Sequence, residues 1–301
     1  MRVYVLLTAY KEQLSIARAV EQIIIPNKDL WADLKLIVVA PDEPTLKVAE
    51  EVCQRHNFVK YALVKDLAKG KPAAIEMAVK SIQDDTRSTQ EDKVIVLTDG
   101  DVYVENGSIK KLLNHFTEPM IGGVGGHPVS LDDKASFFGY ISHLFCEAAH
   151  VRRSRDPFTP MSGYLYAIRL LPGIFPLDPA TRAEDAYISQ KILALGYNIG
   201  YEPVALVYVK FPKNLTDWFK QKSRSLGGNI QLSKLGLGSA RSISQDFSMA
   251  LFPLRYARTP REVYWSLLLY PLRFLLWFRI YSTNAFNRYK TGAWERIESS
   301  K

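Results

Sequence analysis

Two carboxylates separated by one glycine, Asp99-Gly100-Asp101, follow directly on a short β-branched run at residues 94–97. Carboxylate oxygens at the end of a strand are ligands for a hard divalent cation, and such a cation can bridge a diphosphate. The intervening glycine lets the backbone come close to a ligand. Because Asp-Gly is also a common turn dipeptide, a turn that binds nothing is the alternative interpretation.

A second acidic pair, Glu184-Asp185, stands at the start of a predicted helix. A carboxylate that is held near an acceptor hydroxyl can act as a general base. Acidic side chains are also favoured at helix N-termini by the helix dipole, so a purely structural role is the alternative. The pair is therefore a candidate for catalysis that needs support from the rest of the chain.

Two basic positions have the chemistry to bind phosphate. Lys71 follows Gly70 at the start of a predicted helix, and a helix N-terminus with a lysine suits an anion. This is not a P-loop, because the glycine spacing differs and no Ser or Thr follows the lysine. Gln221 and Arg224 share one face of another predicted helix, where the guanidinium can clamp a phosphate through two hydrogen bonds. A solvated, charged helix face is the alternative there.

The first third of the chain alternates short apolar runs with helix-length segments. Strands are predicted at residues 3–7, 35–39, 61–64 and 94–97, and helices at residues 14–25, 44–55 and 73–82. This alternation indicates a parallel sheet covered by helices. Ligands of such sheets lie at the carboxyl ends of the strands, so the polar residues after Leu7, Val39 and Leu97 are the first candidates for a site.

The second half of the chain is less regular. Strands are predicted at residues 121–126, 164–168 and 204–208, and helices at residues 135–151, 184–195 and 215–232. The glycine-rich stretch at residues 235–239 is the best candidate for a linker. We therefore predict a catalytic domain over residues 1–235 and a separate C-terminal segment over residues 236–301.

Together, the order and spacing of these motifs resemble glycosyltransferase family 2 over residues 1–235. The resemblance implies the GT-A fold, an α/β, Rossmann-like architecture whose mixed, mostly parallel sheet carries helices on both faces. It also implies a nucleoside-diphosphate sugar as donor, linked to uridine or guanosine. The residues that the resemblance assigns to this donor are Thr8, Tyr10, Glu12, Asp42, Lys71, Asp99, Gln221 and Arg224.

The same resemblance assigns the remaining roles. Asp99 and Asp101 match the family's Asp-x-Asp motif, which implies Mn²⁺ or Mg²⁺ as cofactor. Ser162 and Gly163 resemble the small-residue turn that lines the acceptor site. Asp185 matches the general base, with Glu184 beside it. The implied reaction is inverting transfer, in which the base takes the acceptor proton and no covalent intermediate forms.

Two positions depart from the family pattern. Gln221-x-x-Arg224 resembles the Gln-x-x-Arg-Trp motif of the cellulose and hyaluronan synthase branch, but Ser225 replaces the tryptophan that helps to bind the acceptor sugar. Glu76 stands where an asparagine is usual in the helix after Gly-Lys. The donor chemistry is accordingly better supported by the sequence than the acceptor chemistry.

Charge is distributed unevenly along the chain. Residues 207–301 carry sixteen Lys and Arg against five Asp and Glu, whereas residues 1–206 carry 23 against 26. A basic third beside a mildly acidic body indicates an anionic partner. Aromatic side chains sit among leucine runs in EVYWSLLLYPLRFLLWFRIY at residues 262–281, and not among spaced basic residues, which favours an anionic membrane surface over nucleic acid.

Two arginines and a proline within residues 262–281 argue against a membrane span, so we predict helices that lie in the interface plane. A helix packed on the catalytic domain or in a dimer is the alternative. The cysteines, Cys53 and Cys146, form no close pair, which fits a reduced compartment. We therefore expect a peripheral or monotopic protein on the cytoplasmic face, acting on a lipid-linked or glycan acceptor. A nucleotidyltransferase and a non-catalytic scaffold of the same fold are the competing hypotheses.

Overall fold

A computed structural model of the chain describes residues 1–84, 93–156, 159–178, 181–234 and 249–285, together with Ser299. Eight strands form one sheet: β1 (Arg2–Thr8), β2 (Leu34–Ala40), β3 (Tyr61–Lys65), β4 (Lys93–Asp99), β5 (Tyr103–Val104), β6 (Ile121–Ser130), β7 (Leu165–Arg169) and β8 (Asn198–Val209). The linker predicted at residues 235–239 lies outside the described residues.

Nine α-helices accompany these strands in the described part of the chain: α1 (Ile16–Ile24), α2 (Glu43–Arg55), α3 (Lys71–Gln83), α4 (Ser108–Asn114), α5 (Phe137–Arg155), α6 (Glu184–Ala194), α7 (Leu215–Lys234), α8 (Phe252–Tyr256) and α9 (Pro260–Ala285). Two short 3₁₀ helices at Ile25–Leu30 and His115–Thr117 extend α1 and α4. The helices predicted for the first half of the chain are confirmed, with bounds that move by at most two residues.

The strand order across the sheet is β3-β2-β1-β4-β7-β6-β8-β5. Strands β1 to β4 run parallel to one another, whereas β7 is antiparallel to both β4 and β6. The order reverses between β1 and β4, because the chain moves outward from β1 to β3 and then returns to the other side of β1. Reversal points of this kind leave a crevice at the carboxyl ends of the strands.

The sheet is covered on both faces, which explains why its central strands are apolar throughout. Val3, Val5 and Leu7 of β1 face a cluster that includes α1, α2 and α4, while Tyr4 and Leu6 face a cluster that includes α3 and α6. Strands buried on both faces read as continuous hydrophobic runs in the sequence. The α/β architecture with helices on both faces agrees with the one predicted.

A third cluster joins α5, α7 and α9 beside the sheet. Its buried members are Tyr140, Ile141, Leu144, Trp218, Leu226, Trp265, Leu269, Leu276 and Ile280. Tyr140 and Ser266 also share a buried hydrogen bond of 2.8 Å, which ties α5 to α9. One stripe of the C-terminal helix is thus packed on the catalytic part. Within the described residues, no helix combines the length and the apolar character that a membrane crossing requires.

Candidate active site

The crevice between β1 and β4 brings the first motif residues together. Thr8 ends β1 and pairs in register with Asp99 at the end of β4. The Thr8 hydroxyl donates to Asp99 Oδ1 over 2.7 Å, and the amide of Gly100 donates to the carbonyl of Thr8 over 2.8 Å. These two hydrogen bonds fix the start of the Asp-x-Asp motif, at the end of β4, against the end of β1.

Lys71 lies at the centre of the site. It is the first residue of α3, two residues before the predicted start, and it is 6% exposed. Its Nζ lies 2.8 Å from Asp99 Oδ1, 2.9 Å from Glu184 Oε1 and 3.1 Å from the carbonyl oxygen of Gly163. An ammonium group has three N–H donors, so these three partners engage all of them. In this state Lys71 joins the metal motif to the acidic pair.

Charge stabilises this buried lysine. Burial alone lowers the pKa of Lys71, but the carboxylates of Asp99 and Glu184 outweigh it and raise that pKa well above its usual value. Burial raises the pKa of Asp99, while Lys71 and the Thr8 hydroxyl act in the opposite direction. Lys71 is therefore charged in this fold, and it offsets the charge of two carboxylates.

Asp185 lies against Gly163, the second residue of the predicted acceptor turn. A Cβ on Gly163 would come within 2.9 Å of Asp185 Oδ2, so only glycine permits this approach. The amide of Ala186 donates to Asp185 Oδ1 over 2.8 Å. Burial and, after it, the charge of Glu184 raise the pKa of Asp185 from 3.8 to about 6. A carboxylate of this basicity is mostly ionised at neutral pH and suited to accept a proton.

The acceptor turn is held from both sides. The Ser189 hydroxyl accepts from the amide of Met161 over 3.1 Å and donates to the carbonyl of Asp185 over 2.6 Å. Thr98 Oγ1 donates to the carbonyl of Tyr164 over 2.9 Å. Ser162, which is 4% exposed, lies between these anchors. The turn and the start of α6 are consequently one hydrogen-bonded unit.

Asp42 and Glu12 shape the loop that follows β1. Asp42 caps α2 by accepting from the amide of Thr45 over 3.2 Å, and it accepts from the amide of Lys11 over 2.8 Å. The amide of Glu12 donates to Thr45 Oγ1 over 2.9 Å, while the Glu12 carboxylate accepts from Ser15. These bonds hold Lys11 in a left-handed conformation, with φ of 56°. Contacts of this loop, including Tyr10, with a nucleotide remain predictions.

The helix α7 carries Gln221 and Arg224 towards the same region. Burial raises the pKa of Tyr164, and the charges of Asp101 on one side and Arg224 on the other act on it in opposite directions. A Cβ on Gly228 would lie 2.9 Å from the Cβ of Ala183, the residue before Glu184. The α7 helix therefore packs directly on the start of α6.

Two features of α7 bear on the predictions. The Oε1 atom of Gln221 is buried and has no hydrogen-bond partner among the described residues. Ser225, which stands where the synthase branch has a tryptophan, is exposed. Neither Gln221 nor Ser225 therefore replaces the acceptor contact that the tryptophan is expected to make.

Glu76, the other departure from the family pattern, has a structural explanation. Its Oε1 atom accepts a hydrogen bond from the backbone amide of Leu177. This bond ties α3 to the loop that leads into α6, away from the cluster around Lys71. The substitution of asparagine by glutamate at this position therefore serves the scaffold.

The donor set fits a divalent cation that also binds substrate oxygens. Among the described residues, no group of three or more His, Cys, Asp or Glu side chains could hold a metal. Two carboxylates, Asp99 and Asp101, remain, and Mg²⁺ sites often use one or two carboxylates together with substrate phosphates. Both oxygens of Asp99 already accept bonds from Thr8 or Lys71. A cation at this motif would therefore share Asp99 with these two donors.

Sequence reasoning missed three residues that organise the site: Tyr166, Ser189 and Arg153. Tyr166 belongs to β7, and its side chain is fully buried beneath α3 and α6. Arg153 Nε donates to the carbonyl of Pro160 over 3.0 Å, which anchors the approach to the acceptor turn. None of the three belongs to a recognisable motif, and their roles depend on tertiary contacts.

The chain resembles known glycosyltransferases in sequence and in structure. The family model described as "Glycosyltransferase like family 2" matches residues 1–228. The poly-beta-1,6-N-acetyl-D-glucosamine synthase of Staphylococcus aureus is 24% identical over 249 residues, which cover 75% of this chain and 54% of that protein. An N-acetylglucosaminyltransferase of Azorhizobium caulinodans is 23% identical over 227 residues, covering 69% and 55%. The chain thus spans about half the length of these curated relatives.

A solved structure shares the fold. The mannosyltransferase PcManGT from Pyrobaculum calidifontis, in complex with GDP-Man and Mn²⁺, superposes with a TM-score of 0.61 at 18% identity. The match covers 96% of this chain and 81% of PcManGT. Since the family model covers most of the chain and the fold agrees, this protein belongs to the glycosyltransferase-like family 2 and has the GT-A fold.

Proposed function

We propose that this chain is an inverting glycosyltransferase that moves a sugar from a nucleoside-diphosphate sugar to an acceptor hydroxyl. The observation that carries the proposal is the cluster around Lys71. It joins Asp99, at the reversal point of the sheet, to Glu184, the neighbour of Asp185. The GDP-Man bound to PcManGT supports a nucleotide-sugar donor, for which we propose a uridine or guanosine base.

Asp185 is the general base in this proposal. It removes the proton of the acceptor hydroxyl as that oxygen forms its bond to the anomeric carbon. The bond between this carbon and the diphosphate oxygen breaks at the same time, and its electron pair leaves with the nucleoside diphosphate. Asp185 suits this role because it lies against Gly163 of the acceptor turn and has a pKa of about 6.

The leaving diphosphate requires positive charge. Mn²⁺ or Mg²⁺, held by Asp101 with Asp99, would supply electrostatic neutralisation of the diphosphate. Arg224 on α7 adds a guanidinium on the same side of the site, which suits a phosphate. Thr8, Tyr10, Glu12 and Asp42 line the strand ends where the nucleotide would lie. Ser162 and Gly163 border the acceptor.

The exposed face of α9 supports a membrane-associated acceptor. While Trp265, Leu269, Leu276 and Ile280 pack inward, large apolar side chains point outward along the opposite side. We call these residues the outer stripe: Tyr264, Leu267, Leu268, Phe274, Leu275, Phe278 and Tyr281. Their spacing of three, four and seven residues places them on one side of the helix. Phe274 is 72% exposed and Phe278 is 66% exposed.

Charge around the outer stripe favours an anionic surface. Arg279 is exposed beside Phe278, whereas Arg273 turns inward, with its guanidinium 5.6 Å from the ring centroid of Phe145. Arg273 and Arg279 thus lie on different faces of the helix, and only Arg279 stands beside the outer stripe. An amphipathic helix of this kind inserts its apolar side to the level of the headgroups. We therefore propose peripheral binding to the cytoplasmic face of a membrane, with a lipid-linked or membrane-bound glycan acceptor.

A donor screen tests the proposed activity. Purified protein is incubated with UDP-N-acetylglucosamine, UDP-glucose, UDP-galactose and GDP-mannose, with Mn²⁺ or with EDTA, and release of the nucleoside diphosphate is measured. We expect slow hydrolysis of one donor with Mn²⁺, since water replaces the missing acceptor. The melting temperature should rise with the matching nucleoside diphosphate and Mn²⁺. Neither hydrolysis nor a rise in melting temperature with any donor would contradict the proposal.

A further inference from the structure

The hydroxyl of Tyr166 is a buried polar group with nothing to bind. Tyr166 pairs with Leu97 of β4 and Gly125 of β6 in the middle of the sheet, and its side chain is 0% exposed. Its hydroxyl has no hydrogen-bond partner among the described residues. A buried hydroxyl left unsatisfied costs stability, so such a group calls for an explanation.

The groups that face this hydroxyl belong to the candidate active site. Its side chain lies on the same face of the sheet as α3 and α6, whose first residues are Lys71 and Glu184. Burial, and then the charge of Glu184, raise the pKa of Tyr166, while the charge of Lys71 lowers it. Asp185 and Asp99 also act on this pKa. The hydroxyl thus lies on the face of the sheet that α3 and α6 cover, where the charges of the acidic pair act on it.

The contacts of Lys71 suggest when the hydroxyl of Tyr166 would be needed as a hydrogen-bond donor. Its three N–H donors are engaged by Asp99, Glu184 and Gly163. If the ammonium group turns to an oxygen of the donor diphosphate, it must release one of these partners. Asp99 keeps the Thr8 hydroxyl as a donor. Glu184, which is 7% exposed, would lose its charged donor, and a buried carboxylate without a donor is unfavourable.

We propose that Tyr166 is a positioning residue whose hydroxyl donates to Glu184 when Lys71 turns to the donor diphosphate. The bond holds the first turn of α6 in place, and with it the adjacent Asp185, during transfer. This inference rests on the proposed function. It assigns Tyr166 no contact with substrate.

The test compares Tyr166→Phe with wild type and with the control Tyr4→Phe. Tyr4 is 2% exposed and lies on the same face of the sheet, near the opposite end of β1. For each protein, donor hydrolysis with Mn²⁺ gives kcat and KM, and thermal unfolding without ligand gives the melting temperature. For Tyr166→Phe we expect a melting temperature at or above that of wild type, because an unsatisfied hydroxyl is removed. We expect kcat to fall by about 10- to 100-fold, the value of a hydrogen bond to a charged group.

The outcomes distinguish a failure of the inference about Tyr166 from a failure of the proposed glycosyltransferase function. KM of Tyr166→Phe should stay within about threefold of wild type, because Lys71 turns, and the Tyr166–Glu184 bond forms, only as charge develops on the diphosphate during transfer and not when the donor binds. Tyr4→Phe should keep its kcat. Unchanged kcat in Tyr166→Phe would overturn the inference alone, as would a fall in kcat accompanied by a lower melting temperature, which indicates a structural defect. A wild-type protein that hydrolyses no donor would overturn the proposed function and this inference with it.

Discussion

Replacing Asp185 by asparagine should make the protein more stable while removing its proposed general base. In the fold, burial and the charge of Glu184 raise the pKa of Asp185 from 3.8 to about 6. The ionised form is therefore disfavoured by the fold, and a shift of this size corresponds to about 3 kcal/mol. Solvent reaches part of the side chain, so we take this value as an upper bound and expect about 1–2 kcal/mol.

The effect should depend on pH in a defined direction. Because the pKa of Asp185 is higher in the folded than in the unfolded state, the folded state binds more protons between about pH 4 and pH 6. The protonated carboxyl of Asp185 therefore contributes favourably to the free energy of unfolding. This contribution is lost as pH rises through about 6. Asp185→Asn, which never ionises, should gain most over wild type at pH 8 and about a third as much at pH 4.5, where the carboxyl is protonated in the folded state but largely ionised in the unfolded state.

Thermal or urea unfolding at pH 8 and pH 4.5 measures this difference directly. The amide oxygen of asparagine can still accept from Ala186, which keeps the local hydrogen bond. Asp33→Asn serves as the control, because Asp33 lies on the surface in an ion pair with Arg2. A variant that is less stable than wild type at pH 8, or whose advantage does not shrink at pH 4.5, would refute the reasoning.

Three further changes test other parts of the account. Asp101→Ala should abolish the rise in melting temperature that nucleoside diphosphate and Mn²⁺ produce together, and full hydrolysis by this variant in EDTA would exclude the metal role. Gly163→Ala should lower kcat by at least about tenfold with little change in donor binding, since its Cβ would come within 2.9 Å of the base carboxylate; unchanged kcat would contradict that contact. Replacing Phe274 and Phe278 together by serine should weaken sedimentation with anionic vesicles, whereas replacing Leu14, which is 94% exposed, should not. Equal binding by both variants would rule out the outer stripe as the membrane contact.

The sequence predicted the elements that depend on local pattern. The β-branched run before Asp99 and the apolar start of the chain became the adjacent strands β4 and β1, and the helices of the first half lie where predicted. Strand β8 begins at Asn198, earlier than predicted, because polar residues and Pro203 interrupt its apolar pattern. The short elements β5 and α4 were not predicted, since two and seven residues give too little periodicity.

The site required tertiary information. The motifs predicted that Lys71, Asp99 and Glu184 belong to one site, but not that Lys71 uses all three donors on protein groups. The hydroxyl of Tyr166 has no hydrogen-bond partner among the described residues because of how α3 and α6 pack on the sheet. The spacing of residues in the sequence does not reveal this packing. For the C-terminal helix the two alternatives were posed as exclusive, yet one stripe of α9 packs on α5 and α7 while the outer stripe is exposed.

The central claim is that Asp185 removes the acceptor proton during sugar transfer, and one kinetic comparison tests it most directly. The donor found in the screen is supplied to wild type, Asp185→Asn and Asp33→Asn with Mn²⁺, and both donor affinity and the rate of transfer to a membrane-extract acceptor are measured. We expect Asp185→Asn to bind the donor normally and to lose transfer by about 10²- to 10⁴-fold, while Asp33→Asn matches wild type. Lost donor binding with normal residual chemistry would contradict the claim, making Asp185 a donor ligand and leaving Glu184 as the candidate base.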